Sequence, residues 1–316
     1  TWIGLGNAFI GSLLAWQILG RRTRIMTQHI DSKTMPDFFQ KRYGSKALKI
    51  AASIIVFVFL IPYTASLYNG LSSLFGIAFD VPYWACIVVM AVLTGLYVIF
   101  GGYMATAIND FIQGVIMLVG IVAVIVATLK VNGGLAVSVN LLAEKSGSEY
   151  ASITGPNPVF LIVVVLLTSL GTWGLPQMVG KFYAISNESA IKKGTLISTV
   201  FAVIVAGGCY FLGGFGRLFV TPEQVAAKGF DSIVPTMLSS LSPYIIGIVI
   251  VLVLSASMST LSSLVLTSAS ALTLDVILPA KKRQVTEKTK INTMRWFILF
   301  FIVLSAVIAV LKDSIW

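Results

Sequence analysis

The sequence predicts an all-α membrane protein, and three observations carry that prediction. Of its 316 residues 57% are hydrophobic and only 11% are charged, whereas soluble domains carry about 25% charged residues. Mean hydropathy is +0.94. Eight apolar segments approach or exceed the ~20 residues that cross a hydrocarbon core. None shows the short alternating pattern of barrel strands, so a membrane β-barrel is excluded. No stretch is long and polar enough for a soluble domain, so residues 1–316 are expected to form a single transmembrane domain.

The first segment, 1–20, is apolar almost from its start. A basic loop follows, in which Pro36-Asp-Phe-Phe reads as a short interfacial helix with proline in its first turn. Segment 47–75 is long enough to tilt or project from the bilayer. It carries a polar patch at Pro62-Tyr63-Thr64-Ala65-Ser66, where proline bends the helix and Tyr63 and Ser66 are candidate solute contacts. Segments 83–100 and 110–130 are joined by a glycine-containing turn.

Segment 158–175 is short and runs into Gly171-Thr-Trp-Gly-Leu-Pro176. Two glycines and a proline at that depth open the backbone ladder, and broken helices mark binding sites in secondary transporters. Thr168, Thr172, Trp173 and Gln177 could therefore line a small-solute pocket; the plainer reading is a helix end with Trp173 in the interfacial belt. Segment 192–215 precedes a loop in which 222–229 reads as one helical turn or two, capped by Thr221 and stopped by Gly229. Segments 243–274 and 294–311 complete the set.

Charge placement orders these segments. Loops 21–49, 176–196 and 276–295 hold 8, 3 and 6 of the 22 Lys and Arg residues. The positive-inside rule puts those loops in the cytoplasm and Thr1 outside, and eight alternating crossings satisfy it. The net charge of +10 is thus a topology signal in a plasma-membrane protein rather than a nucleic-acid patch.

Few residues are left for chemistry. Cys86 and Cys209 lie in apolar helices and read as packing residues, and His29, the single histidine, reads as a solvated loop residue. No convergent nucleophile, base or metal set is present, so an enzyme is not expected. Asp110 enters a helix from a turn, where it either satisfies the helix dipole or serves an ion. Asp80, Asp275 and Asp313 also stand at helix ends and read as ordinary terminal acids.

The helix of 243–274 is crowded with hydroxyls. Thr260, Ser263, Thr267 and Ser270 fall on one stripe, which suits either a small hard cation or close helix packing. Adjacent Ser259 and Thr260 differ by about 100° and can address one ion, joined by the Ala256 carbonyl if the helix loosens there. Ser263, Thr267 and Ser270 are assigned to packing.

At this point the sequence resembles a known family. Gly101-Gly-Tyr-Met-Ala-Thr-Ala-Ile-Asn-Asp-Phe-Ile-Gln-Gly114 looks like a signature of the sodium:solute symporters. Ser255-Ala-Ser-Met-Ser-Thr-Leu-Ser262, with Ser268-Ala-Ser-Ala and Asp275, is similar to their eighth core helix, and Pro36-Asp-Phe-Phe with Arg42-Tyr-Gly resembles the loop after their second. The resemblance implies an inverted-repeat (LeuT-like) bundle of two five-helix repeats. The present segments would be core helices two to nine, an incomplete set lacking the first and the tenth. It also implies sodium at Ala256, Ser259 and Thr260, with further ligands from the first core helix, and Asp110 on the path by which sodium leaves. Proline carriers of the family have tryptophan and tyrosine where this chain has Thr168 and Thr172, while Gly174-Leu-Pro-Gln looks closer to pantothenate-type members.

The expected function is sodium-coupled import of a small organic solute (an organic acid, an amino acid or a vitamin such as pantothenate) by alternating access. The expected partners are the sodium ion, the solute and the lipid bilayer. The alternative is a transporter-like sensing domain of a membrane sensor kinase. A channel is disfavoured, because no repeated filter sequence is present.

Overall fold

The computed structural model describes residues 2–79, 81–152, 154–185, 187–280 and 286–315. Among these, six helices are long and apolar enough to cross a membrane: Trp2–His29, Lys46–Ser72, Tyr83–Val131, Ser189–Leu218, Pro243–Ala280 and Glu287–Leu311. The helices Pro158–Gly174 and Pro176–Tyr183 form a pair broken between them, and the count is seven where that pair is taken as one span. Tyr83–Val131 has 49 residues, about 74 Å of helix, too much for one crossing. Its backbone turns at Gly102 (φ 60°, ψ −164°), a conformation open to glycine, which divides it into the two spans expected from the sequence. The protein is a multi-pass, all-helical membrane protein.

Two compact units make up the chain. The first comprises Thr1–Leu19, Gly114–Gly174 and Asn187–Ser255. Its opening helix packs against Pro158–Gly171 and Glu188–Gly213. Glycines permit that approach: a β-carbon at Gly4 would stand 2.5 Å from the Gly207 Cα. With no hydrophobic effect between helices in lipid, such backbone contact is how they hold. Residues Asn7–Leu14 and Trp16–Gly20 are wound as π-helix, a widening that nothing in their composition announces. Toward one end of this unit Arg217 lies 4.3 Å above the Tyr150 ring, and Thr221 closes a capping box with Gln224 on the helix Pro222–Lys228, which ends at Gly229 (φ 77°).

The second unit comprises Gly20–Gln113, Leu175–Ser186 and Ala256–Trp316. Its core joins Phe57, Leu60 and Ile61 to Val98, Leu264, Val265, Phe301 and Ile302, with Phe57 edge-on to Phe301 at 5.6 Å. The helix Lys46–Phe79 runs through Pro62 without ending. The first helix continues to His29, which is exposed at its end rather than in a loop. The short helix near Pro36 forms as Met35–Tyr43, capped by Thr34 and closed by Gly44 at φ 68°.

Two expectations are corrected. Cys209 is exposed, so only Cys86 is a packing cysteine. Asp275 is not an ordinary terminal acid: it is 4% exposed, within a π-turn at Thr273–Ile277. Its Oδ2 accepts from the Thr34 hydroxyl at 2.5 Å, and its Oδ1 pairs with Lys49 Nζ at 3.1 Å. Lys49 also pairs with Asp37 at 2.9 Å, and Asp37 with Lys41 at 3.2 Å. A carboxylate at that depth needs neutralising, and this network supplies it. Thr1, Asp80 and the side chain of Asp313 lie outside the described residues.

Candidate sodium site and the cavity beside it

The second unit encloses a cavity of about 720 Å³. Its walls come from the Lys33–Pro36 segment, the turn Gly101–Thr106, the helix Pro176–Tyr183, the helix of 243–272 and residues 291–298. Three cations, Lys33, Lys181 and Arg295, and one carboxylate, Asp110, line it. Each cation belongs to a different basic loop, so the cavity lies at the end of the bundle where those loops converge.

The helix restarts after the turn at Gly102, and Asp110 lies about two turns into it, inside the helix rather than at its entry as expected from the sequence. The Ser259 hydroxyl interacts with its carboxyl, while Asp110 Oδ1 is enclosed and has no hydrogen-bond partner among the described residues. Two candidates that sequence reasoning took separately thus face each other. Tyr97, which sequence reasoning missed, donates its hydroxyl to the Met258 carbonyl at 2.7 Å, one residue before Ser259. A half-buried phenol fixes the turn that carries the serine.

Ala256 and Thr260 sit together on an unbroken helix. Thr260 Oγ1 donates to the Ala256 carbonyl at 2.9 Å, the common back-bond of a helical threonine. The helix does not loosen there. Thr260 Oγ1 keeps lone pairs and, with the Ser259 hydroxyl, presents two neutral oxygens within one turn, the donor type that a small hard cation accepts. The Ala256 carbonyl already accepts from the Thr260 hydroxyl and from the helix ladder, so it joins them only when that ladder opens. Asp110 adds an anionic oxygen nearby.

Ser263, Thr267 and Ser270 line the cavity. Their assignment to helix packing is therefore corrected: hydroxyls fully enclosed on this helix include Ser262 and Ser268, both 0% exposed. The stripe keeps one wall of the cavity polar.

The broken segment is divided. In the first unit, Thr168 Oγ1 donates to the Val164 carbonyl and Thr172 Oγ1 to the Ser169 carbonyl, both at 2.8 Å. Trp173 is no belt residue, since its indole donates to the Ile10 carbonyl at 2.9 Å inside the π-wound stretch. In the second unit, Tyr63 and Ser66 lie on the exposed side of their helix, and Gln177, 7% exposed, lines the cavity with Oε1 unpartnered. Among the described residues no group of His, Cys, Asp and Glu forms a metal cluster.

A family model described as the sodium:solute symporter family matches residues 2–315. The chain belongs to that family. It is 29% identical over 317 residues to an osmoregulated proline transporter of Bacillus subtilis, covering 99% of this chain and 64% of that protein. It is 27% identical to a sodium/pantothenate symporter of Haemophilus influenzae, covering 88% of this chain and 58% of the relative. Against a sodium/proline symporter of Staphylococcus saprophyticus the identity is 30%, over 87% and 54%. The chain therefore spans about three-fifths of the length of these curated relatives. Among solved structures, a Na+-coupled sialic acid symporter in a substrate-bound outward-open state superposes with TM-score 0.81 at 16% identity, over 99% of this chain and 68% of that one. That likeness shows the LeuT-like fold.

Proposed function

We propose that this chain serves as one transport domain of a sodium-coupled symporter that imports a small organic solute. The observation that carries the reading is the meeting of Asp110 and Ser259 beside a cavity edged by the basic loops. Ser259, Thr260 and the Ala256 carbonyl hold sodium, and Asp110 attracts the ion as it leaves. The basic loops 21–49, 176–196 and 276–295 face the cytoplasm of a plasma-membrane protein, with residue 1 outside. The cavity is then the inward exit.

Coupling follows from differential affinity. Sodium stabilises the state in which its oxygens are assembled, and the solute binds that state better. Tyr63, Ser66, Thr168, Thr172, Trp173 and Gln177 are proposed to contact the solute. Relatives named for proline, pantothenate and sialic acid transport support an organic acid, an amino acid or a vitamin. Because those relatives are named as transporters, they favour carriage over sensing.

In the full-length protein reconstituted in vesicles, Ser259→Ala with Thr260→Ala is expected to raise the sodium concentration for half-maximal uptake. Unchanged sodium dependence in that double variant would exclude the site.

A further inference from the structure

Asp110 presents an electrostatic problem that the sodium reading does not solve. Its Oδ1 is enclosed without a hydrogen-bond partner among the described residues, and a carboxylate inside a membrane protein is costly unless a cation balances it. While sodium is close, the cation neutralises it. Once sodium has left, the carrier must return with that charge still in place.

The cavity contains the means. Lys181 is on the helix Pro176–Tyr183 and lines the same cavity as Asp110. Its charge reaches the Asp110 carboxyl. Gln177 stands one turn earlier on the same helix, so the two side chains share a face, and Gln177 also lines the cavity. The other two lining cations stand on other elements. Arg295 Nε is committed to the Ile99 carbonyl at 3.2 Å, and Lys33 lies on the segment held by the Thr34–Asp275 contact.

Resting on the sodium reading above, we infer that Lys181 is a tethered counter-cation that takes sodium's place at Asp110 when the ion departs into the cavity. The ammonium competes with sodium for one carboxylate, which weakens sodium on the cavity side and neutralises the acid in the empty carrier. Gln177, whose Oε1 has no hydrogen-bond partner among the described residues, offers an acceptor in the same cavity. Lysine suits the task because it is a compact point charge on a flexible four-carbon stem.

The test uses the purified full-length protein and sodium alone as probe. Thermal stability is titrated with NaCl at constant ionic strength, choline chloride making up the balance. Lys181→Gln is expected to move the midpoint to about three- to fivefold lower NaCl, the scale of one partly solvated charge pair. Lys181→Arg, which keeps the charge, should stay near the wild type. In an Asp110→Asn background Lys181→Gln should have no effect, which separates competition at the carboxylate from a general change in the cavity. A midpoint unchanged or raised in Lys181→Gln overturns the inference, as does a shift that persists with Asn at 110. A wild-type protein that sodium does not stabilise would instead remove the sodium reading itself, and the inference with it.

Discussion

Lys49 and Asp275 form an ion pair 3.1 Å long with side chains only 12% and 2% exposed. The same ammonium reaches Asp37 at 2.9 Å, so one buried lysine ties the Met35–Tyr43 helix to the end of the long hydroxyl-bearing helix. Those contacts hold the Lys33–Pro36 wall of the cavity.

Lys49→Met leaves Asp275 buried without its cation. Removing one partner of a buried pair costs about 3–5 kcal/mol, so thermal unfolding in detergent should show a large fall in Tm. Adding Asp275→Asn should recover part of the loss, because the orphaned charge is then gone. Equal Tm values for the single and double variants would contradict this account.

Asp37 sets the acid limit of the same network. Burial pushes its carboxyl up, but hydrogen bonds and attraction from Lys49 and Lys41 outweigh it and hold the group below the usual 3.8. A depressed carboxylate stabilises the fold above its unfolded pKa, and that contribution is lost as pH falls through the lower folded value. The Tm difference between wild type and Asp37→Asn should therefore be steady from neutral pH to about 4 and close below it. A difference that closed between neutrality and pH 5 would point to another group.

Trp173→Phe keeps the ring but deletes the donor to the Ile10 carbonyl. An orphaned buried acceptor costs about 1–3 kcal/mol, and here the acceptor lies in a π-wound stretch. Stability should fall by that amount in equilibrium unfolding, and Trp173→Leu should do no better. A Phe variant as stable as the wild type would show that this bond does not fix the broken segment to the first helix.

Gly4 and Gly70 make a controlled comparison. A β-carbon at Gly4 meets the Gly207 backbone, whereas at Gly70 nothing lies within 4 Å. Gly4→Ala should lower Tm, since neither backbone can yield. Gly70→Ala should hold or raise it, alanine being about 1 kcal/mol better than glycine in a helix. Parallel melting curves check both signs at once.

Much of this protein is legible in its sequence because the signals are local. Apolar length marks the crossings, Lys and Arg mark one end, Gly102 and Pro176 mark the breaks, Pro36 marks the first turn of a short helix, and Thr221 and Gly229 mark helix caps through their own turn chemistry. The family is legible too, in the stretches 101–114 and 255–262.

What the sequence could not determine is pairing through space. Asp110 and Asp275 look alike in one dimension, each a single acid at the end of an apolar helix. Tertiary structure sends one to a buried lysine and leaves the other facing a serine with one oxygen unpartnered. Ser263, Thr267 and Ser270 share the chemistry of Ser262 and Ser268, yet one set lines a cavity and the other is sealed in packing. The physical reason is the same in both cases. Hydropathy and capping act within a turn or two of chain, whereas the worth of a charge or a hydroxyl depends on which distant segment the fold brings against it.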